Sequence, residues 1–216
     1  MRFPNDTQHT SIVGANGSGK TYAALWHLSR RSYDVMPWII YDFKYDENIN
    51  KIEGANHFTV DDPVPIQPGI HICHPHPSQL EEVERQLWEI WENENTGVYI
   101  DEGYMMGNNN KAFRALLTQG RSKHIPVIIL SQRPVWMDRF VFSESMFFQI
   151  FRLQNVKDYK VVEGFVPADL SKRLPPYHSY YYDVGADKLS VLKPVPKIEE
   201  IISVFNSRLP NLKKVV

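Results

Sequence analysis

Cysteine is almost absent: Cys73 is the single one in 216 residues. No internal disulfide can form, so an apolar core must hold the fold, which fits a reducing compartment. Long apolar runs are also missing. The longest, Val127 to Leu130 and Met146 to Phe151, are strand-sized and far short of a bilayer span. The segment Met1 to Asp6 lacks the apolar stretch of a secretory leader. No charge of one sign dominates: 24 basic against 25 acidic residues give a formal net charge of −1. That excludes a uniformly basic surface and leaves nucleic-acid contact to a local patch, or to one formed only on assembly. No repeat, long linker or low-complexity tract is present, so solenoid and disordered classes drop out.

What is present is a chain 43% hydrophobic, in which short apolar runs alternate with helical patterns. That alternation predicts an α/β fold with a mostly parallel central sheet. Strands are expected at Ser11–Val13, Trp38–Tyr41, Ile70–Cys73, Val98–Ile100, Pro126–Ser131 and Phe147–Arg152. Helices are expected from Gly19 to Arg30, from Leu80 to Glu94 and from Lys111 to Thr118, the last closed by Gly120. Ser78-Gln79-Leu80-Glu81 has the form of a capping box for the second of these. Asn155 is placed to cap a short helix ending at Gly164. Tyr180–Val184 and Leu189–Leu192, around Gly185-Ala186-Asp187, suggest a hairpin. Ile198, Ile201, Ile202 and Phe205 mark a final amphipathic helix, and the tail from Pro210 is expected to be loose.

Three segments carry chemistry. Gly14-Ala15-Asn16-Gly17-Ser18-Gly19-Lys20-Thr21 fits the phosphate-binding P-loop in full, between a strand and a helix. Its glycines let backbone amides turn toward phosphate oxygens, and the helix N-terminus favours anionic charge there. Lys20 can reach the β- and γ-phosphates of ATP, and the Thr21 hydroxyl can ligate Mg2+. Val98-Tyr99-Ile100-Asp101-Glu102 supplies the partner. Asp101, at a strand's carboxyl end, can hold the magnesium shell, and Glu102 can polarise an attacking water. A glutamate there favours hydrolysis over transfer to a small acceptor. Ser131-Gln132-Arg133-Pro134 ends another strand, and reads either as a γ-phosphate sensor at Gln132 or as a turn stopped by Pro134.

In their order and spacing these segments resemble the FtsK–HerA superfamily of DNA-pumping ATPases. Gly120 to Pro134 is similar to the stretch around that superfamily's sensor glutamine, and Ile40-Tyr41-Asp42-Phe43-Lys44 to its second strand. The likeness covers about residues 10 to 165. Within the group the chain looks most like the small genome-packaging ATPases of tectivirus-like, membrane-containing icosahedral viruses. The resemblance implies a three-layer P-loop NTPase of the ASCE, RecA-like kind and a homo-hexameric ring with ATP sites between subunits. It further implies double-stranded DNA in the channel, capsid or membrane vertex proteins as partners, and a place at the virion packaging vertex and in host cytoplasm. It also implies an arginine acting on a neighbour's ATP: Arg121 first, with Arg133 and Arg152 as alternatives. Residues 1–194 are expected to form the motor with its hairpin, and 195–216 a C-terminal helix and tail.

Other features suggest less. His71, Cys73, His74 and His76 resemble metal ligands, but strand alternation splits them between two faces. Trp26, Trp88, Trp91 and Trp136 suit packing. Arg30-Arg31 and Lys213-Lys214 suit a solvated surface, and Met105 to Asn110 a polar loop. The rival functions are a zonula-occludens-toxin-like phage assembly ATPase, a small-molecule or nucleotide kinase, and a nucleotide-binding scaffold protein.

Overall fold

A computed structural model describes residues 2–107 and 109–212, apart from the side chains of 210–212. Lys213-Lys214 and Asn108 of the Met105–Asn110 loop lie outside the described residues. In chain order the elements are β1 (Thr10–Val13), α1 (Lys20–Leu28), β2 (Pro37–Asp42), β3 (Asn56–Phe58), β4 (Gly69–Cys73), α2 (Leu80–Asn93), β5 (Gly97–Asp101), α3 (Lys111–Gln119), β6 (Val127–Ser131), α4 (Arg139–Ser143), β7 (Phe147–Ile150), α5 (Val156–Glu163), β8 (Ser179–Asp183), β9 (Lys188–Leu192) and α6 (Ile198–Leu212).

All nine strands form one sheet in the order β3-β4-β2-β5-β6-β1-β7-β8-β9. The first seven are parallel, and β8 and β9 add an antiparallel hairpin at one edge. The strands β1, β2, β4, β5, β6 and β7 are buried along their whole length, which is why most of their residues are apolar. One face of the sheet is covered by α2, α3, α4 and α5. The other is covered by α1 and α6. This is the three-layer α/β fold with a C-terminal hairpin and helix that the sequence predicts. At Gly97 the indole of Trp38 lies where a Cβ would be, its nearest ring atoms 2.2 Å away, so only glycine lets β5 pass that ring.

The final helix joins the main body directly. Ile198, Ile201, Ile202, Phe205 and Leu209 pack in the same cluster as α1, β2 and β4. Arg208 donates to the carbonyls of Ser29 and Arg31, 2.8 and 3.0 Å away, and lies over the Tyr33 ring.

The capping box is a correction. Residue Gln79 precedes α2 and no side chain caps the helix. Ser78 Oγ instead bonds His76 Nδ1 at 2.8 Å, so the hydroxyl is engaged by its own turn. Asn155 does cap α5, its Oδ1 accepting from Lys157 N at 2.9 Å. Gly120 closes α3 with right-handed backbone, its amide donating to Leu116 O at 2.9 Å. Of the tryptophans, Trp88 and Trp136 are exposed, and Trp38 is the one fully buried.

Candidate active site

The chemistry-bearing segments meet at the carboxyl ends of β1, β6, β5 and β2. The loop after β1 is tied to both neighbouring strand tips: Gly14 N donates to Ser131 O at 3.1 Å and Ala15 N to Arg152 O at 2.8 Å. A Cβ on Gly14 would meet Ser18 Oγ at 2.5 Å and Phe151 Cβ at 2.7 Å. Gly17 and Gly19 adopt φ of +69° and +98°, the left-handed backbone that glycine tolerates and that turns successive amides inward. Lys20 opens α1, with its side chain buried beneath the loop. Burial pulls its ammonium below the ordinary range, while Asp101 and Asp46 oppose that shift.

Asp101, at the tip of β5, is buried. Burial pushes its carboxyl up to about 6; Lys44 and Lys20 pull against this, and Asp42 and Asp46 add to it. Both of its oxygens are buried without a hydrogen-bond partner. Such an orphaned carboxylate costs free energy unless a cation or donor meets it. A hard divalent ion favours just this donor type, so the residues present fit magnesium.

Because β6 lies between β1 and β5, its tip carries Gln132 to the gap between the P-loop and the acidic pair. Glu102 leaves β5 with left-handed backbone, φ +58°, which turns its carboxylate toward that gap. Gln132 donates to it through Nε2 at 2.8 Å and through its backbone N at 3.3 Å. Gln132 thus lies between the P-loop and Glu102, and Pro134 opens a short 3-10 turn.

The sequence reading missed Lys44 as a site residue. Its Nζ forms an ion pair with Glu102 Oε1. Asp42, at the tip of β2, shapes the turn that delivers it, accepting from Lys44 N at 3.0 Å and Asp46 N at 2.8 Å. An aspartate at a strand end followed by a turn was visible in the sequence; the return of Lys44 over Glu102 depends on β2 lying beside β5.

The arginines divide. Arg133 donates to Asp158 Oδ2 at 3.1 Å and lies 4.0 Å over the Trp136 ring, so its guanidinium is engaged within the chain. Arg152 follows β7 and lines a cleft beside the P-loop of its own chain. Arg121 is exposed in the turn before β6, at the opposite edge of the sheet. There Asn95, just before β5, bonds Lys123 O at 2.8 Å. The structure does not bring Arg121 to the site of its own chain. Thr21 lines a cleft with Lys20. The histidines are engaged elsewhere: His71 with Gln67 O, His74 with Asp42 and Asn50, and His76 with Ser78.

No family model matches the chain. It is 48% identical over 217 residues to the DNA packaging ATPase P9 of Enterobacteria phage PRD1, covering 95% of both chains. This chain belongs to the P9 family of packaging ATPases. Among solved structures, the genome packaging NTPase B204 of Sulfolobus turreted icosahedral virus 2, with sulfate, superposes with a TM-score of 0.72 at 19% identity. That match covers 89% of this chain and 99% of the other. VirB4 of Thermoanaerobacter pseudethanolicus matches with a TM-score of 0.70 at 11% identity, over 89% and 90% of the two chains. At such identities the shared property is the fold. The P9 match, in contrast, bears out the packaging branch of the FtsK–HerA resemblance. No helix among the described residues is long and apolar enough to cross a membrane.

Proposed function

We propose that the chain hydrolyses ATP and couples that hydrolysis to moving double-stranded DNA into a preformed viral capsid. The observation that carries this is the buried Glu102 carboxylate beside Asp101, held by Gln132 across from the P-loop, in a chain alike end to end to P9. The amides of Gly14 to Gly19 and the Lys20 ammonium bind the phosphates. Thr21 and Asp101 are the residues that would hold Mg2+, which supplies charge neutralisation on the phosphate oxygens. Glu102 orients the attacking water and takes its proton, and Gln132 registers the γ-phosphate through its bond to Glu102. The hydrolytic reading prevails over a kinase because a buried carboxylate stands where water must be activated.

The working assembly in this reading is a homo-hexamer in which Arg121 serves the neighbouring site. Residues 1–194 act as the motor, and 195–216 as an attached helix and tail. The ring sits at the packaging vertex, against capsid or membrane vertex proteins, and is made in host cytoplasm.

Phosphate release by the purified protein, with and without double-stranded DNA, tests this. DNA should stimulate release, and Glu102→Gln should lower it by roughly 10²–10⁴-fold, the usual contribution of a general base. Phosphoryl transfer to a small acceptor, or unchanged turnover in Glu102→Gln, would overturn the reading. Particles made without the protein should be complete shells empty of DNA; misassembled shells would point to a scaffolding role.

A further inference from the structure

Tyr177 has no role in the chemistry described above, yet it stands against the P-loop. It follows Pro175-Pro176 in the segment before β8. Its ring closes on the loop: a Cβ on Gly19 would meet Tyr177 Cδ1 at 3.3 Å. Its backbone is left-handed, φ +61°, a conformation that costs free energy for a bulky residue. Its side chain nonetheless remains 59% exposed. Among the described residues it has no hydrogen bond, ring contact or ion pair. The chain thus holds, against that strain, an aromatic ring that packs beside the loop and stays largely open to solvent.

That ring borders a cleft of about 490 Å³, within the range that holds small organic ligands. Its lining is both polar and apolar. Lys20 and Thr21 line it with Asp46, Asn48 and Lys197, and Tyr177, Pro194, Val195 and Pro196 give it apolar wall. A nucleotide offers both kinds of surface, with charged phosphates and a flat, weakly polar base. Every base has a π-face, and stacking on an aromatic ring binds it without hydrogen-bond readout.

We propose that Tyr177 is the stacking platform for the nucleotide base, with the Pro194–Pro196 segment as the facing wall. This rests on the nucleotide reading of the P-loop and adds where the base lies. Aromatic stacking tolerates any base, so the platform sets affinity for the nucleoside half more than choice among bases.

The test compares ADP with inorganic tripolyphosphate, each with magnesium, by titration calorimetry on the full chain. Tripolyphosphate occupies the loop but has nothing to stack. Tyr177→Ala should weaken ADP about tenfold or more, leave tripolyphosphate within twofold, and be rescued by Tyr177→Phe. Tyr177→Gly, which removes both ring and strain, should melt no lower than the native chain while losing ADP affinity to the same degree. Unchanged ADP affinity in Tyr177→Ala overturns the platform alone. A parallel loss of tripolyphosphate does so too, because the ring would then be supporting the loop. If the native chain binds neither ligand, the P-loop reading falls and the platform with it.

Discussion

Two side-chain contacts in this chain have measurable consequences of opposite kinds. Lys44 occupies the Glu102 carboxylate, which we propose accepts a proton from water. Burial draws the Lys44 ammonium below its ordinary range, against Asp101, which raises it. With the ammonium gone, Glu102 keeps its Gln132 donors and Oε1 gains a lone pair free for water. Lys44→Met should therefore raise DNA-independent phosphate release several-fold and shrink the ratio of stimulated to basal rate. A fall in both rates would mean instead that Lys44 supports the reactive pose. His27 contributes to stability rather than turnover. It is buried, bonded to Gln149 Oε1 at 2.9 Å, and burial pushes it down to about 3, with Arg31 adding to the shift. The unfolded chain takes up a proton there near the ordinary 6.5, while the folded chain resists until about 3. Stability from His27 is thus complete above pH 6.5 and is lost as pH falls toward 3. His9, pushed down to about 4 by burial, acts in the same direction. Asp101, raised to about 6, acts in the opposite direction between its unfolded value and 6. Urea unfolding from pH 7 to 4 should give a slope shallower by about 1.4 kcal/mol per pH unit in His27→Gln than in the native chain.

At the scale of elements, close packing sets the cost of change. Gly97→Ala drives a methyl group into the Trp38 indole inside a fully buried strand pair, and should lower stability by about 1–3 kcal/mol with a matching fall in Tm. Native stability in this variant would mean that β2 and β5 can separate. The sequence announces those strands because burial on both faces leaves runs such as Val98-Tyr99-Ile100 with no polar interruption. It announces the P-loop and Asp101-Glu102 because both are local segments at strand ends. It hides β3 and α4, whose three and five residues are too short to show a period. It misleads at Ser78, where a nearby histidine takes the hydroxyl that capping needs. Lys44 and Tyr177 were illegible as site residues for a different reason. Each reaches the loop or the acidic pair through sheet order and a turn, and no spacing along the chain records that arrival.

For the whole molecule, the parallel sense of the sheet sorts the residues proposed to act in catalysis onto two edges. Loop, acidic pair, Gln132 and Lys44 lie at the carboxyl edge, and Arg121 lies at the amino edge. A single copy cannot bring the two together. Arg121→Ala should thus leave ATP binding intact and lower turnover of the assembled ring by about 10³-fold or more, the effect of losing an arginine supplied in trans. Undiminished turnover would strike Arg121 from the site. Assembled rings doped with a few Arg121→Ala subunits would locate the defect: it should fall on the intact neighbour's turnover.

The strand β6 connects these two edges. Its five residues span about 16 Å, with Gln132 immediately beyond one end and the turn bearing Arg121 before the other. A strand paired on both sides neither stretches nor slides alone, so a shift at one tip moves β6 with its neighbours and reaches the other tip. In the proposed ring, where Gln132 reads its own chain's phosphate and Arg121 serves the next, departure of one phosphate would move the group on which the adjacent site depends. Firing in such a ring would pass in one direction, timed by a rod five residues long.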